Sequence, residues 1–358
     1  MLEATILNTN FEAIAILDTF TSFIWTDRYD KCGDFEIYTQ VTDKVMATLK
    51  EDYYICVKGT DHVMIIEDTE ISTDKENGNN ISITGRSLES MLDRRVIWGQ
   101  YILEGNLQDA IKVLLEDSII SPEIPERKIP NFIFEMTDDP NITELEIEAQ
   151  YMGDNLYDVI STICESYSIG FKITLNQSNQ FVFKLYSGAD RSYDQTENPY
   201  VVFSPGFENI INSSYIQSKK TLKTVSLVMG EGEGASRKNV AVELESGGGS
   251  GLDRREIYTD ARDISSDTGD DTTLTDEEYY SQLAQRGVED LSFNTYTQSF
   301  EGQVETTKMF VYGTDFFMGD IVQIANEYGQ ESTARVIEIV TSQDTTGYSV
   351  YPTFSAVY

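Results

Sequence analysis

Over the first hundred residues apolar and polar positions alternate in short runs broken by turn residues, the period-two signature of half-buried strands. Ala4–Leu7 and Ala13–Leu17 flank the turn Asn8-Thr9-Asn10 and predict a hairpin, while Phe23–Trp25 and Phe35–Tyr38 flank Gly33-Asp34. Tyr53–Lys58 and Val63–Ile71 surround Gly59-Thr60-Asp61, and Glu76-Asn77-Gly78-Asn79-Asn80 turns the chain into Ile81–Thr84. Strands at this spacing predict a small barrel or sandwich. A short helix is expected to close it, with Ser87 as N-cap and Leu88, Met91 and Leu92 on one face.

The period then changes. After Asn106, a good N-cap, the apolar positions Leu107, Ala110, Ile111, Leu114 and Leu115 follow helical offsets. Asp154 is expected to cap a second helix carrying Leu156, Val159, Ile160, Ile163, Cys164 and Tyr167 and stopped by Gly170. Phe171–Leu175 and Gln180–Leu185 predict a hairpin, and Pro122, Pro125, Pro130 and Pro140 mark loops. Strands return at Val201–Phe203, Ile210–Gln217, Thr224–Met229 and Val240–Leu244, separated by the flexible Gly230–Ser236 and Ser246–Gly251 and followed by the acidic loop Asp263–Asp271. Thr275-Asp276-Glu277-Glu278 is a capping box, because the Thr and Glu side chains can satisfy each other's terminal amides. The helix it opens is expected to carry Tyr280, Leu283, Ala284, Gly287, Val288 and Leu291 on one stripe.

One pattern occurs twice. Phe35-Glu36, Asp52, Ile66-Glu67, Gly78 and Ile81-Ser82-Ile83 are echoed by Phe300-Glu301, Asp320, Ile337-Glu338, Gly347 and Tyr348-Ser349-Val350. The spacings are 17, 15 and 11 residues (52−35, 67−52, 78−67) against 20, 18 and 9 (320−300, 338−320, 347−338). Similar strand order with unequal loops predicts two copies of one small β unit. The expected organisation is a first β-barrel domain over 1–100, an α+β domain over 101–195, a β-rich connector with a helix over 196–295 and a second β-barrel unit over 296–358. Strands from 196–260 are expected to complete the first barrel. The fold class is mainly β, with an α+β insertion between two related small barrels.

Composition narrows the function. Asp plus Glu number 61 against 26 Lys plus Arg, a net charge of −35. A phosphate-binding surface needs a cationic footprint, so specific nucleic-acid binding is disfavoured, and so is adhesion to anionic membranes. Lys219-Lys220 and Asp93-Arg94-Arg95 are short basic runs. Cys32, Cys56 and Cys164 are odd in number and far apart, which points to reduced thiols, with Cys56 and Cys164 in core positions. The N-terminal Met1-Leu2-Glu3-Ala4-Thr5 lacks a basic secretory n-region, and no stretch is apolar enough to insert in a bilayer.

No motif carries chemistry. Gly230-Glu231-Gly232-Glu233-Gly234-Ala235 formally fits a dinucleotide fingerprint, but Ser236–Glu245 alternates like a strand where a helix is required, so a loop is expected. Asp263, Asp267, Asp270 and Asp271 do not have calcium-loop spacing. His62, the sole histidine, is expected in a surface turn; one histidine builds no His-rich zinc site, and no nucleophile elbow accompanies it. In so acidic a chain no carboxylate pair stands out for glycoside hydrolysis. The aromatic residues are expected to pack cores. No catalytic, cofactor or metal residue is therefore assigned.

A resemblance does emerge. Leu17-Asp18, Ser22-Phe23-Ile24-Trp25-Thr26-Asp27-Arg28-Tyr29 and Gly33-Asp34-Phe35-Glu36-Ile37-Tyr38 are carried into the string Ile83 to Trp98, with Tyr312-Gly313-Thr314-Asp315 and Met318-Gly319-Asp320-Ile321-Val322 near the end. In these residues, across essentially its whole length, the chain resembles the tail-associated baseplate hub proteins of siphophages with Gram-positive hosts. The resemblance implies a virion protein at the phage tail tip, assembled in the host cytoplasm and not an enzyme. It also implies a homotrimer whose tail-tube-like barrels adapt the sixfold tube to threefold tip or fibre proteins around the DNA channel. Implied partners are a distal tail protein or tube ring, the tape measure protein and tail fibre or receptor-binding proteins. Many relatives carry a long C-terminal extension. This chain stops at Tyr358, so host binding and wall cleavage are expected on other polypeptides. The rival readings are a receptor- or carbohydrate-binding tail component and, behind it, a peptidoglycan hydrolase.

Overall fold

The computed structural model describes residues 2–75, 78–244, 246–268, 273–304, 309–326, 328 and 331–357. The first unit holds β1 (Ala4–Leu7), β2 (Ala13–Leu17), β3 (Ser22–Arg28), β4 (Asp34–Gln40), α1 (Asp43–Thr48), β5 (Tyr54–Val57), β6 (Val63–Asp74) and β7 (Gly78–Ser87). Their hydrogen-bonded order is β3-β4-β7-β6-β5-β1-β2. Alternation works as the sequence pattern requires: Phe23, Trp25, Phe35, Ile37, Ile81 and Ile83 all point into one core. Each such buried side chain contributes about 1.5–3 kcal/mol. The segment after Ser87 is a 3-10 turn, Leu88–Arg94, that buries Leu88, Met91 and Leu92. Ser87 does not cap it; its hydroxyl instead accepts from the Gly33 amide.

A module of β8 (Tyr101–Asn106), α2 (Leu107–Leu115), β9 (Phe132–Glu135), α3 (Pro140–Thr143), β10 (Glu146–Tyr151), α4 (Leu156–Ser166), β11 (Gly170–Leu175) and β12 (Phe181–Tyr186) follows. The Asn106 carboxamide caps α2 as its spacing predicts, and Leu107, Ala110, Ile111, Leu114 and Leu115 are buried. The cap of α4 is Asn155, one residue later than expected, while Asp154 turns back to the Met152 amide. Strands β8, β9 and β10 lie in the stretch whose periodicity showed only helices and prolines. β9 adds in parallel to the β11–β12 hairpin.

Next come β13 (Val202–Phe203), β14 (Ile210–Ser218), β15 (Val225–Met229), β16 (Asn239–Glu243), β17 (Glu256–Asp260), α5 (Asp276–Phe293), β18 (Thr297–Val304), β19 (Ile321–Ala325), β20 (Glu331–Asp344) and β21 (Gly347–Ala356). β13 and β14 pair with β19 and β18, so they complete the second unit and not the first. β15, β16 and β17 form a separate small sheet that packs on α5. The capping box of α5 is formed. Its buried stripe runs through Tyr279, Leu283, Gly287 and Leu291, whereas Tyr280 and Val288 face outward. The stripe is rotated because Tyr279 is anchored, its hydroxyl donating to the Ile264 carbonyl and accepting from the Glu231 amide.

The two units are not separate. β20 pairs with β3, so one thirteen-stranded sheet runs through both. The class is mainly β with an α+β insertion. Among the described residues the strand path ends at β14 and β2 and closes no barrel.

Candidate functional site

The duplication seen in the sequence is present in the strand pairing. The second unit has the order β14-β18-β21-β20, with β19 and then β13 on the near edge of β20. The first has β3-β4-β7-β6-β5-β1. In each, the long strand carries one bulge, between Ile66 and Asp68 in β6 and between Val336 and Glu338 in β20. From bulge to hairpin turn both copies run six residues out and six back (74−68 and 84−78; 344−338 and 353−347). Before β5 the Asp52 amide bonds the Ile66 carbonyl; before β19 the Gly319 amide bonds the Val336 carbonyl. Both residues are left-handed, with φ of 63° and 88°.

Register refines the sequence match. Phe35 opposite Gly85 corresponds to Phe300 opposite Phe354, as the pattern places it. Ile66 corresponds to Val336 and Asp52 to Gly319, each one residue from the match made on acidic residues. Both copies carry the bulge at the same place, but Glu67 is the bulge residue of β6 whereas Glu338 lies just past the bulge of β20, so a match made on acidic residues slips by one.

The joint between the copies is built around Tyr29, which directly follows β3 and is 1% exposed. Its amide donates to the Ile337 carbonyl in the β20 bulge, and its carbonyl accepts from the Phe171 amide of β11. Its hydroxyl donates to the Ser168 carbonyl, its ring meets Tyr186 edge-on at 5.3 Å, and the Arg335 guanidinium lies 5.3 Å above it. Burial pushes the phenol up to about 12, with Arg335 opposing. Three parts of the chain therefore meet on one side chain. Gly319 and Gly188 let them approach: a Cβ on Gly319 would lie 2.3 Å from the Tyr29 ring, and one on Gly188 would lie 1.9 Å from the Gly319 carbonyl carbon.

Two ion clusters fasten the joint. Arg28 bridges Asp34 and Glu338, across the β3–β20 pairing. Asp320, 3% exposed, accepts from the Ala189 amide at 2.8 Å, from Arg191 Nε at 2.7 Å and from the Phe317 amide at 2.9 Å.

His62 is not a surface turn residue. It is buried under the cleft of about 570 Å³ beside the joint, with Nδ1 3.6 Å from Asp27 and Nε2 3.9 Å from Asp61. The single-residue context Asp61-His62-Val63 gave no sign that β11 would pack over it, through the bridge His62 to Thr174. Asp27 accepts from Trp25 Nε1, and Glu89 accepts from the Ile173 amide. Both carboxyls are fully buried and pushed up by desolvation, against the pull of His62. The cluster locks the first unit to the module.

The other candidates disperse. Gly230–Ala235 is a loop followed by strand β16, with Glu231 held by Ser266 and Lys238. Asp263 pairs with Arg286, Asp267 bridges to Thr273, and Asp270 and Asp271 lie outside the described residues. The cysteines are free thiols, Cys164 fully buried. No group of three or more potential metal ligands occurs among the described residues. No helix among them is long and apolar enough to cross a membrane.

The whole fold, both β units and the module between them, is similar to that of solved tail proteins. A tail protein from Neisseria meningitidis MC58 superposes with a TM-score of 0.59 at 12% identity, covering 99% of this chain and 96% of that one. The prophage tail protein gp18 from Listeria monocytogenes EGD-e gives 0.55 at 15% identity, covering 99% and 94%. The 43 kDa tail protein of prophage MuSo2 from Shewanella oneidensis gives 0.57 at 13% identity, covering 99% and 98%. The chain belongs to the siphovirus ReqiPepy6 Gp37-like protein family, whose model matches residues 3–354. No curated protein sequence matches it significantly.

Proposed function

We propose that this chain is a structural hub of a siphophage tail, a homotrimer that presents six β units to the sixfold tube and threefold symmetry to the tip. The observation that carries the reading is the duplication, with its matched bulge, matched strand lengths and matched order. Three chains with two like units each supply six quasi-equivalent positions, and a ring closes when each joint turns by about 60°. The protein works by shape and pairing and has no reaction of its own. Its neighbours are the distal tail protein or tube ring, the tape measure protein and the fibre or receptor-binding proteins, and its place is the virion's tail tip.

The acidity fits this role. Three chains carry 3 × −35 = −105 charges. A ring of that net charge disfavours the cationic contacts whose counterion release would hold sliding DNA. Size-exclusion chromatography with light scattering tests the reading: a mass of 3 × 40.4 kDa, about 121 kDa, is expected. A stable monomer that also fails to enter tails would overturn it.

A further inference from the structure

The duplication leaves two strand edges that do not match. In the second unit the near edge of β20 is fully used: Ile321–Ala325 pairs with its first part, and β3 pairs with Glu338–Asp344. In the first unit β5 pairs with the start of β6, but beyond the bulge Asp68–Thr73 has no strand on that edge among the described residues. Conversely, β3 is paired on both sides, whereas among the described residues its counterpart β14 pairs with β18 alone. The free edge of β6 is thus the counterpart of the edge that β3 covers. The free edge of β14 is the counterpart of the edge that β20 covers.

We infer that these two edges pair with each other between copies of this chain, β6 of one with β14 of the next. This deepens the trimer reading and rests on it. The joint already made inside the chain sets the register. Asp68 stands where Glu338 stands, and Tyr215 opposite Phe300 stands where Trp25 stands opposite Phe35. Glu338 faces Arg28, Thr341 faces Trp25 and Ser342 faces Ile24. Between chains Asp68 therefore faces Ser218, Ile71 faces Tyr215 and Ser72 faces Ser214, in antiparallel pairing.

The surface chemistry agrees. Ile71 is 48% exposed and Ile216 44%, on strands whose counterparts are covered; Thr26, which corresponds to Ile216, is 4% exposed. Inside the chain Arg28 neutralises Glu338 at the end of the joint. Between chains Asp68, opposite Ser218, stands next to Lys219 and Lys220, which follow directly on Ser218. Head-to-tail pairing of this kind continues one sheet around a ring and covers both of these edges.

A cysteine pair tests the register. Ser72 and Ser214 are both exposed, so Ser72→Cys with Ser214→Cys leaves the cores intact. Directly opposed residues bring their Cβ atoms within about 5 Å, while a two-residue slip leaves about 7 Å, beyond disulfide reach. Under oxidation the double variant is expected to give a covalent ladder ending at three chains on a non-reducing gel. The slipped pair Ser72→Cys with Ile216→Cys, each single variant and the parent with its own thiols are expected to give about tenfold less. A trimer by light scattering without in-register cross-links overturns this joint and leaves the trimer standing. A monomer by light scattering overturns the trimer itself.

Discussion

Replacing Asp320 with Asn probes the fastening of the second unit most sharply. The carboxylate receives three donors in a site 3% exposed, one of them the Arg191 guanidinium. The isosteric amide keeps one acceptor oxygen for the Ala189 amide but turns an NH2 toward Arg191 Nε and the Phe317 amide, so donor faces donor. It also leaves Arg191, whose side chain is 14% exposed, without its partner charge. Breaking a buried pair from one side costs about 3–5 kcal/mol. Unfolding entropy of about 2.1 cal/mol/K per residue over 358 residues gives about 0.75 kcal/mol/K, so the midpoint should fall by about 4–7 °C. Differential scanning calorimetry at fixed protomer concentration measures it, since oligomer stability depends on concentration. Arg191→Met completes a double-mutant cycle, with a coupling of at least about 1 kcal/mol expected. A midpoint shift below about 1 °C, or additivity within about 0.5 kcal/mol, would show that Asp320 and Arg191 do not act as a buried pair.

Further outcomes follow from the same contacts. Burial lifts the Asp30 carboxyl from 3.8 to about 6, with Lys31 opposing, so the unfolded chain ionises first and stability declines as pH rises from about 4 to 6. Asp30→Asn should remove that slope and stabilise by about 1–2 kcal/mol at pH 7, allowing for partial exposure; urea midpoints against pH would show a persisting slope if the reasoning is wrong. Gly188→Ala drives a Cβ into backbone at Gly319 and should destabilise by about 3 kcal/mol or more, whereas Ala at the open Gly59 turn should cost only about 1 kcal/mol for its positive φ; thermal melts of both check the contrast. Thr275→Ala removes the capping box of α5 and should cost about 1 kcal/mol by chemical denaturation, with an unchanged m-value.

Much of this was legible in the chain because the signals were local. Alternation located β1 to β7, helical offsets located α2, and Thr275-to-Glu278 located the start of α5. The duplication was legible as well, since strand order and turn positions leave marks in spacing. The remainder is set by contacts distant in sequence. His62 is buried by a strand more than a hundred residues later. Tyr279 rather than Tyr280 faces the core because Ile264 and Glu231 hold its hydroxyl. The bulges in β6 and β20 are visible only as pairing, and the acidic residue falls in the first (Glu67) but just past the second (Glu338), so the sequence match slipped by one. β13 and β14 join the second unit because β18 and β19 offer them edges, though 78 residues (297−218−1) separate β14 from β18. The corresponding link from β3 to β4 is five residues (34−28−1), so chain distance gave no guide.

Electron cryo-microscopy of the purified oligomer, without imposed symmetry, shows how many chains form the ring and how their two β units are placed. A threefold particle is expected, whose ring of β units has near-sixfold density, alternating first and second units. A ring of any other chain number, or one in which the two units occupy unrelated positions, would contradict it.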